Sequence, residues 1–84
     1  MPTVLIYERS TFYFYANEGP EPPHVHVDAA ENSAKYWLNP IELQSNRGFR
    51  SGERKEIERI LEDNCAMLVR KWNDFFSPST TDRT

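Results

Sequence analysis

Cysteine is almost missing from this 84-residue chain: Cys65 stands alone, so no internal disulfide can staple the fold. With no charged-then-apolar segment at the start, that usage leads to the expectation of a reducing, cytoplasmic setting. Long hydrophobic runs are missing too. Nothing approaches the roughly 18–20 apolar residues of a membrane span, and no membrane partner is expected. Glycine is scarce at 3 residues, and no repeat, low-complexity block or linker divides the chain, which at this length holds one domain. A large excess of positive charge is absent as well: the net charge of −3 is far from the field of a dedicated nucleic-acid binder. Charge is uneven, however, because residues 47–71 hold seven Arg or Lys against five Asp or Glu, so a local anion site stays open.

Aromatic side chains, by contrast, make up 13% of the chain within a hydrophobic share of 38%, which is enough to drive folding. A core this small is marginal alone, and a second copy forming a homodimer, or a partner, is a natural cover for one face. Val4-Leu5-Ile6-Tyr7 is a short apolar run, and Thr11-Phe12-Tyr13-Phe14-Tyr15 has strand composition, with phenylalanines on one side and tyrosines on the other. Asn17-Glu18-Gly19-Pro20 marks a turn, and Pro22-Pro23 stiffens the lead into a strand from His24 to Asp28. Ala34–Leu38 and Ile41–Leu43 are two further strands around Asn39-Pro40, after which Ser45–Phe49 leads out of the sheet. From Ser51, a plausible cap, the apolar period changes to three and four: Ile57, Ile60, Leu61, Cys65, Leu68, Trp72, Phe75 and Phe76 form one helical stripe that Pro78 ends. The fold class expected is α+β, a small antiparallel sheet of four or five short strands with one long C-terminal helix packed on one face. Residues 1–76 form that domain and residues 77–84 are expected to be a disordered tail.

His24, His26 and Asp28 fall in one row of their strand, opposite Val25 and Val27. Two imidazoles at i and i+2 lie about 6.5–7 Å apart along a strand, close enough to turn toward one ion. Their donor chemistry suits zinc or another divalent transition metal, with Asp28 as candidate third ligand and Glu31 folding back as another. The alternative is that both rings are satisfied by carboxylates or backbone on a polar sheet face. Without metal, His24 or His26 is a candidate catalytic acid or base oriented by Asp28 or Glu21. Arg47, Arg50, Arg54 and Lys55 crowd the start of the helix, where positive charge is least welcome. Arg47, Arg50 and Arg54 are therefore candidate anion-binding residues, against the plainer reading that Arg54 pairs with Glu58. Tyr13 and Tyr15 present a weaker candidate platform for RNA bases, since no basic residue is interleaved with them. Trp37 and Trp72 are expected in the core.

Phe12–Tyr15, Asn17-Glu18-Gly19, Pro22–Val27, Ala34–Leu43, Asn46-Arg47-Gly48-Phe49 and Lys71–Phe76 together resemble the small bacterial family catalogued as domain of unknown function 4160, over nearly the whole chain. That resemblance implies a bacterial cytosolic protein, often encoded beside another small protein in a toxin-antitoxin-like arrangement. It brings no catalytic residues. The leading expectation is a binding or regulatory module that works with a small protein partner. The alternative is a metal-dependent hydrolase or nuclease centred on His24 and His26, with Arg47 and Arg50 gripping phosphate.

Overall fold

The computed structural model describes residues 3–76, and there the chain is α+β, with five antiparallel strands followed by one long helix. Strands β1 (Thr3–Tyr7), β2 (Ser10–Tyr13), β3 (His24–Ala29), β4 (Asn32–Leu38) and β5 (Ile41–Arg47) lie side by side in chain order. Helix α1 spans Ser51–Phe76. Residues 77–84, expected as a tail, lie outside the described residues. No helix among the described residues is long and apolar enough to cross a membrane.

Three of the four strand connections are two-residue reversals, at Glu8-Arg9, Ala30-Glu31 and Asn39-Pro40. Glu8 and Ala30 take positive φ, which such tight reversals ask of a residue at their corner, and the Asn39–Pro40 peptide is cis. Only the β2–β3 connection, residues 14–23, is long. It is the connection that builds the site described below.

Alternation sorts the sheet into two unlike faces. Phe12, Val25, Val27, Ala34, Tyr36 and Leu38 face inward and are buried beneath Ile57, Ile60, Leu61 and Leu68 of α1, which lies against β4 and β5. Each large apolar side chain removed from water in this way contributes about 1.5–3 kcal/mol. The helix forms where no proline and no glycine interrupt the stripe from Glu53 to Phe76.

Its cap differs from the expected Ser51. The Arg50 carbonyl accepts the first intrahelical bond from Arg54 N–H, and the Glu53 carboxylate reaches back to accept from Arg50 N–H at 2.8 Å. This is one half of a capping box, set one residue earlier: the Glu53 carboxylate satisfies the Arg50 N–H, while the arginine side chain, a donor only, returns no bond. β5 also runs four residues beyond Leu43. Between Lys35 and Tyr36 the pairing partner jumps from Ser45 to Leu43, so Gln44 is the extra residue of a bulge, and simple alternation breaks there.

Tyr36, fully buried, donates its hydroxyl to Glu58 Oε2 at 2.9 Å, tying β4 to the helix. Burial and then the Glu58 carboxylate raise its phenol above the ordinary value of 10.0. A raised folded value means that the unfolded chain loses this proton first, so stability is full below about pH 10 and falls as pH rises above it. Urea unfolding from pH 8 to 11 is expected to show that fall, and Tyr36→Phe to make it shallower while lowering stability at pH 8 by about 1 kcal/mol. An unchanged alkaline slope in the variant would assign the effect to other groups.

Candidate metal centre

A carboxylate from the long connection and two imidazoles from β3 meet at one end of the sheet. Tyr15 C=O accepts from Glu18 N–H at 3.2 Å and Glu18 C=O accepts from Glu21 N–H at 3.0 Å, so residues 15–21 fold as two successive turns. Tyr15 N–H then donates to Glu18 Oε1 at 2.9 Å, which points the side chain back over β3. Pro22 and Pro23 hold the chain extended after the turns, and Leu38 N–H anchors it by donating to Pro23 C=O at 3.0 Å. β3 starts immediately afterwards.

Glu18 Oε1 lies 2.8 Å from His24 Nε2, and Glu18 Oε2 lies 2.9 Å from His26 Nε2. The ligand atoms offered by Glu18, His24 and His26 all lie within 4.8 Å of one another. His24 is 0% exposed. Its Nδ1 sits 3.0 Å from Pro22 C=O, and since a carbonyl can only accept, Nδ1 carries the hydrogen. Nε2 is then left with its lone pair toward Glu18, and it is a buried polar atom without a hydrogen-bond partner despite the short separation. Two acceptors facing each other call for a shared cation between them, a proton or a metal ion. Glu18 itself is a carboxylate: burial works to raise its pKa, but Tyr15 N–H and then the His26 imidazole outweigh it and hold it below the ordinary value.

The surroundings are aromatic, and their origin is a length mismatch. Twenty-six helical residues extend about 39 Å, whereas strands of four to seven residues reach only about 13–24 Å, so the last turns of α1 overhang the sheet. Trp72 from that overhang packs at 4.7 Å on His24 and at 5.1 Å on Phe14. Phe76 closes on Gly19, where an added Cβ would stand 2.7 Å from its ring. On the open side Tyr13 stacks on His26 at 5.3 Å and Tyr15 meets it edge-on. One imidazole is thus sealed and the other half-buried, facing a depression of about 460 Å³.

The sequence candidates distribute unevenly. His24 and His26 converge as expected, and Val25 and Val27 point the other way into the core. Asp28 is not the third member: its Oδ2 accepts from Tyr13 OH at 3.0 Å, and Glu31 is exposed in the β3–β4 turn. Glu18 takes that place, although it lies eight residues from His26 and only the turn signal at Asn17-Glu18-Gly19 hints that it folds back. Arg47 lines the depression together with His26 and Asp28, so two features separated in sequence do share one face. Arg50 gives its backbone N–H and carbonyl to the helix start, and its exposed side chain does not line the depression. Arg54 lies near Tyr36 and Glu58 on the inner side, and the expected Arg54–Glu58 pair is replaced by the Tyr36–Glu58 hydrogen bond. Of the three arginines, Arg47 is the one that lines the depression.

Trp72 is 4% exposed and Trp37 half-buried, with Lys35 Nζ 4.9 Å above its ring. Trp72→Ala is expected to cost about 3–5 kcal/mol in urea unfolding, and Trp37→Ala only about 1 kcal/mol. Equal costs would show that the overhanging helix end does not seal His24.

Comparison with curated proteins and with solved structures finds no match. Comparison with protein families matches residues 10–73, from the first residue of β2 to the one after Trp72. That span contains Glu18, both histidines, Arg47 and the tryptophan that covers His24, and on it the chain belongs to the family described as Domain of unknown function (DUF4160).

Proposed function

We propose that this protein is a binding module for one divalent transition metal of the zinc type, held by Glu18, His24 and His26. The observation that supports it is the buried Nε2 of His24, which has no hydrogen-bond partner and lies 2.8 Å from a carboxylate oxygen. Zinc bonds of about 2.0–2.2 Å set tetrahedral ligands roughly 3.3 Å apart, so Glu18 Oε1 needs only a small retreat to admit the ion. Pro22 C=O on His24 Nδ1 is the outer contact that a metal-ligating imidazole characteristically has. Three protein ligands leave a coordination position free, and His26 borders the open depression into which it would face. A metal held there would supply an acidified water. With Asp28 and Arg47 on the same depression, hydrolysis of an anionic ester is the activity that follows from this site.

The test is elemental analysis of tag-free protein dialysed against zinc and then against buffer. About one zinc per chain is expected in wild type and in Asp28→Asn. In Glu18→Gln and in His24→Ala/His26→Ala, checked for folding by circular dichroism, affinity falls by more than the roughly 10–100-fold of an outer-contact change. Stoichiometric zinc in a folded double variant would sink the assignment.

Work with a small protein partner, including a toxin-antitoxin-like pairing, is favoured by a different part of the surface. Ile6, 68% exposed, and Tyr7, 44% exposed, lie on β1, an edge strand whose outer side is unpaired among the described residues. Co-purification of the neighbouring gene product, lost on Ile6→Lys, is the expected result. Retention by that variant would move the partner elsewhere.

A further inference from the structure

The register of β4 and β5 sets four hydrogen-bond donors at the corners of a rectangle on the outer face. Ser33 stands opposite Arg47 and Lys35 opposite Ser45. Residues two apart on a strand share a face, so all four point the same way. The corners lie about 5 Å apart across the strands and about 6.8 Å along them. Two hydroxyls occupy one diagonal and two cations the other. All four residues line the depression of about 460 Å³ that also meets Tyr13, Tyr15, His26 and Asp28.

Lys35 is shared with Glu21 at 2.8 Å, whereas Arg47 forms no ion pair among the described residues. The backbone that carries Arg47 is held firmly. Asn46 Nδ2 donates to Phe49 C=O and Asn46 Oδ1 accepts from Phe49 N–H, closing the turn on both sides. Gly48 sits at φ 94°, and a Cβ there would collide with the Asn32 side chain. Asn46-Arg47-Gly48-Phe49 is thus a rigid corner that presents one guanidinium at the rim of a polar hollow.

We infer that Ser33, Lys35, Ser45 and Arg47 bind the phosphate group of a small phosphorylated molecule. A phosphate offers acceptor oxygens in several directions, matching hydroxyls and cations placed around it, and a guanidinium can hold two of them at once. The hollow has the volume of a small-ligand site. Tyr15, 42% exposed, supplies a ring wall for the rest of the ligand. A nucleic-acid strand fits poorly, because Lys35 and Arg47 are the two cations lining the hollow, Lys35 is shared with Glu21, and no further basic residue lines it to form a track. The assignment deepens the metal-centre reading, since His26 lines the same hollow and a ligand held by the quartet would extend toward it. The quartet itself needs no metal.

The experiment is amide NMR of the full chain, stripped by chelator and then loaded with zinc, titrated with inorganic phosphate and with a nucleoside monophosphate. Saturable shifts are expected at residues 33–35 and 45–47 in both forms. Arg47→Gln weakens binding about tenfold and Ser45→Asp abolishes it, while each variant keeps the wild-type fold and zinc content. Phosphate binding in stripped protein that takes up no zinc would leave this assignment standing and defeat the metal centre alone. Absence of saturation, insensitivity to Arg47→Gln, or shifts centred on residues 50–55 would overturn it. A single-stranded oligonucleotide that binds more tightly than the monophosphate, with steep salt dependence, would overturn the small-molecule assignment in favour of nucleic acid.

Discussion

The Glu18 carboxylate lying between two imidazoles of one strand is the constraint on which the end of the molecule depends. A charge taken this far out of water is tolerated only where hydrogen bonds and opposite charge surround it. Tyr15 N–H and His26 Nε2 supply hydrogen bonds to it, and His24 Nε2 faces it at 2.8 Å. Each neighbour then follows in turn. The connection has to fold as two turns to bring Glu18 back, Gly19 has to lack a side chain because Phe76 occupies the space, and Pro22 has to present its carbonyl to His24 Nδ1. Trp72 completes the seal over His24 from a helix that outruns the strands it covers.

The same sheet serves two unlike environments because its side chains alternate. The inner face is an apolar layer closed by α1, and the Tyr36–Glu58 hydrogen bond reaches from it to a charge. The outer face is a grid of polar residues whose cross-strand rows are Thr11–Asp28–Ser33–Arg47 and Tyr13–His26–Lys35–Ser45. Groups carried on strands hold their spacing more tightly than groups on loops, so a metal at one end and an anion beside it would be kept at fixed separation. The single loop-borne member, Glu18, is compensated by the density of contacts around it. Lys35 links the two regions, bonded to Glu21 of the long connection while standing beside Ser45 in the grid.

Periodicity carried most of the fold. Val25 and Val27 against His24 and His26, Phe12 against Tyr13, and the stripe from Ile57 to Trp72 could each be assigned to a face because a strand repeats every two residues and a helix every 3.6. Ile41–Leu43 was legible only as a fragment of β5, because the bulge at Gln44 interrupts the alternation that reveals a strand. The cap at Arg50 was hidden for a related reason: Glu53 makes it, and capping from three residues away carries no composition signal at the capped position.

For the site, the amino-acid sequence by itself determined that two imidazoles share one face of a strand behind a stiff diproline, and that Arg47 precedes a glycine-bearing corner. Those are properties of neighbours, and local geometry decides them. Only the tertiary structure decided that Glu18 and not Asp28 meets the imidazoles, that His24 is sealed by Trp72, and that Arg47 shares a hollow with His26 while Arg50 and Arg54 do not. The reason is physical: linear spacing predicts proximity within one strand or one helix, whereas the path of a ten-residue connection and the pairing register of β4 with β5 emerge when the whole sheet closes on its helix.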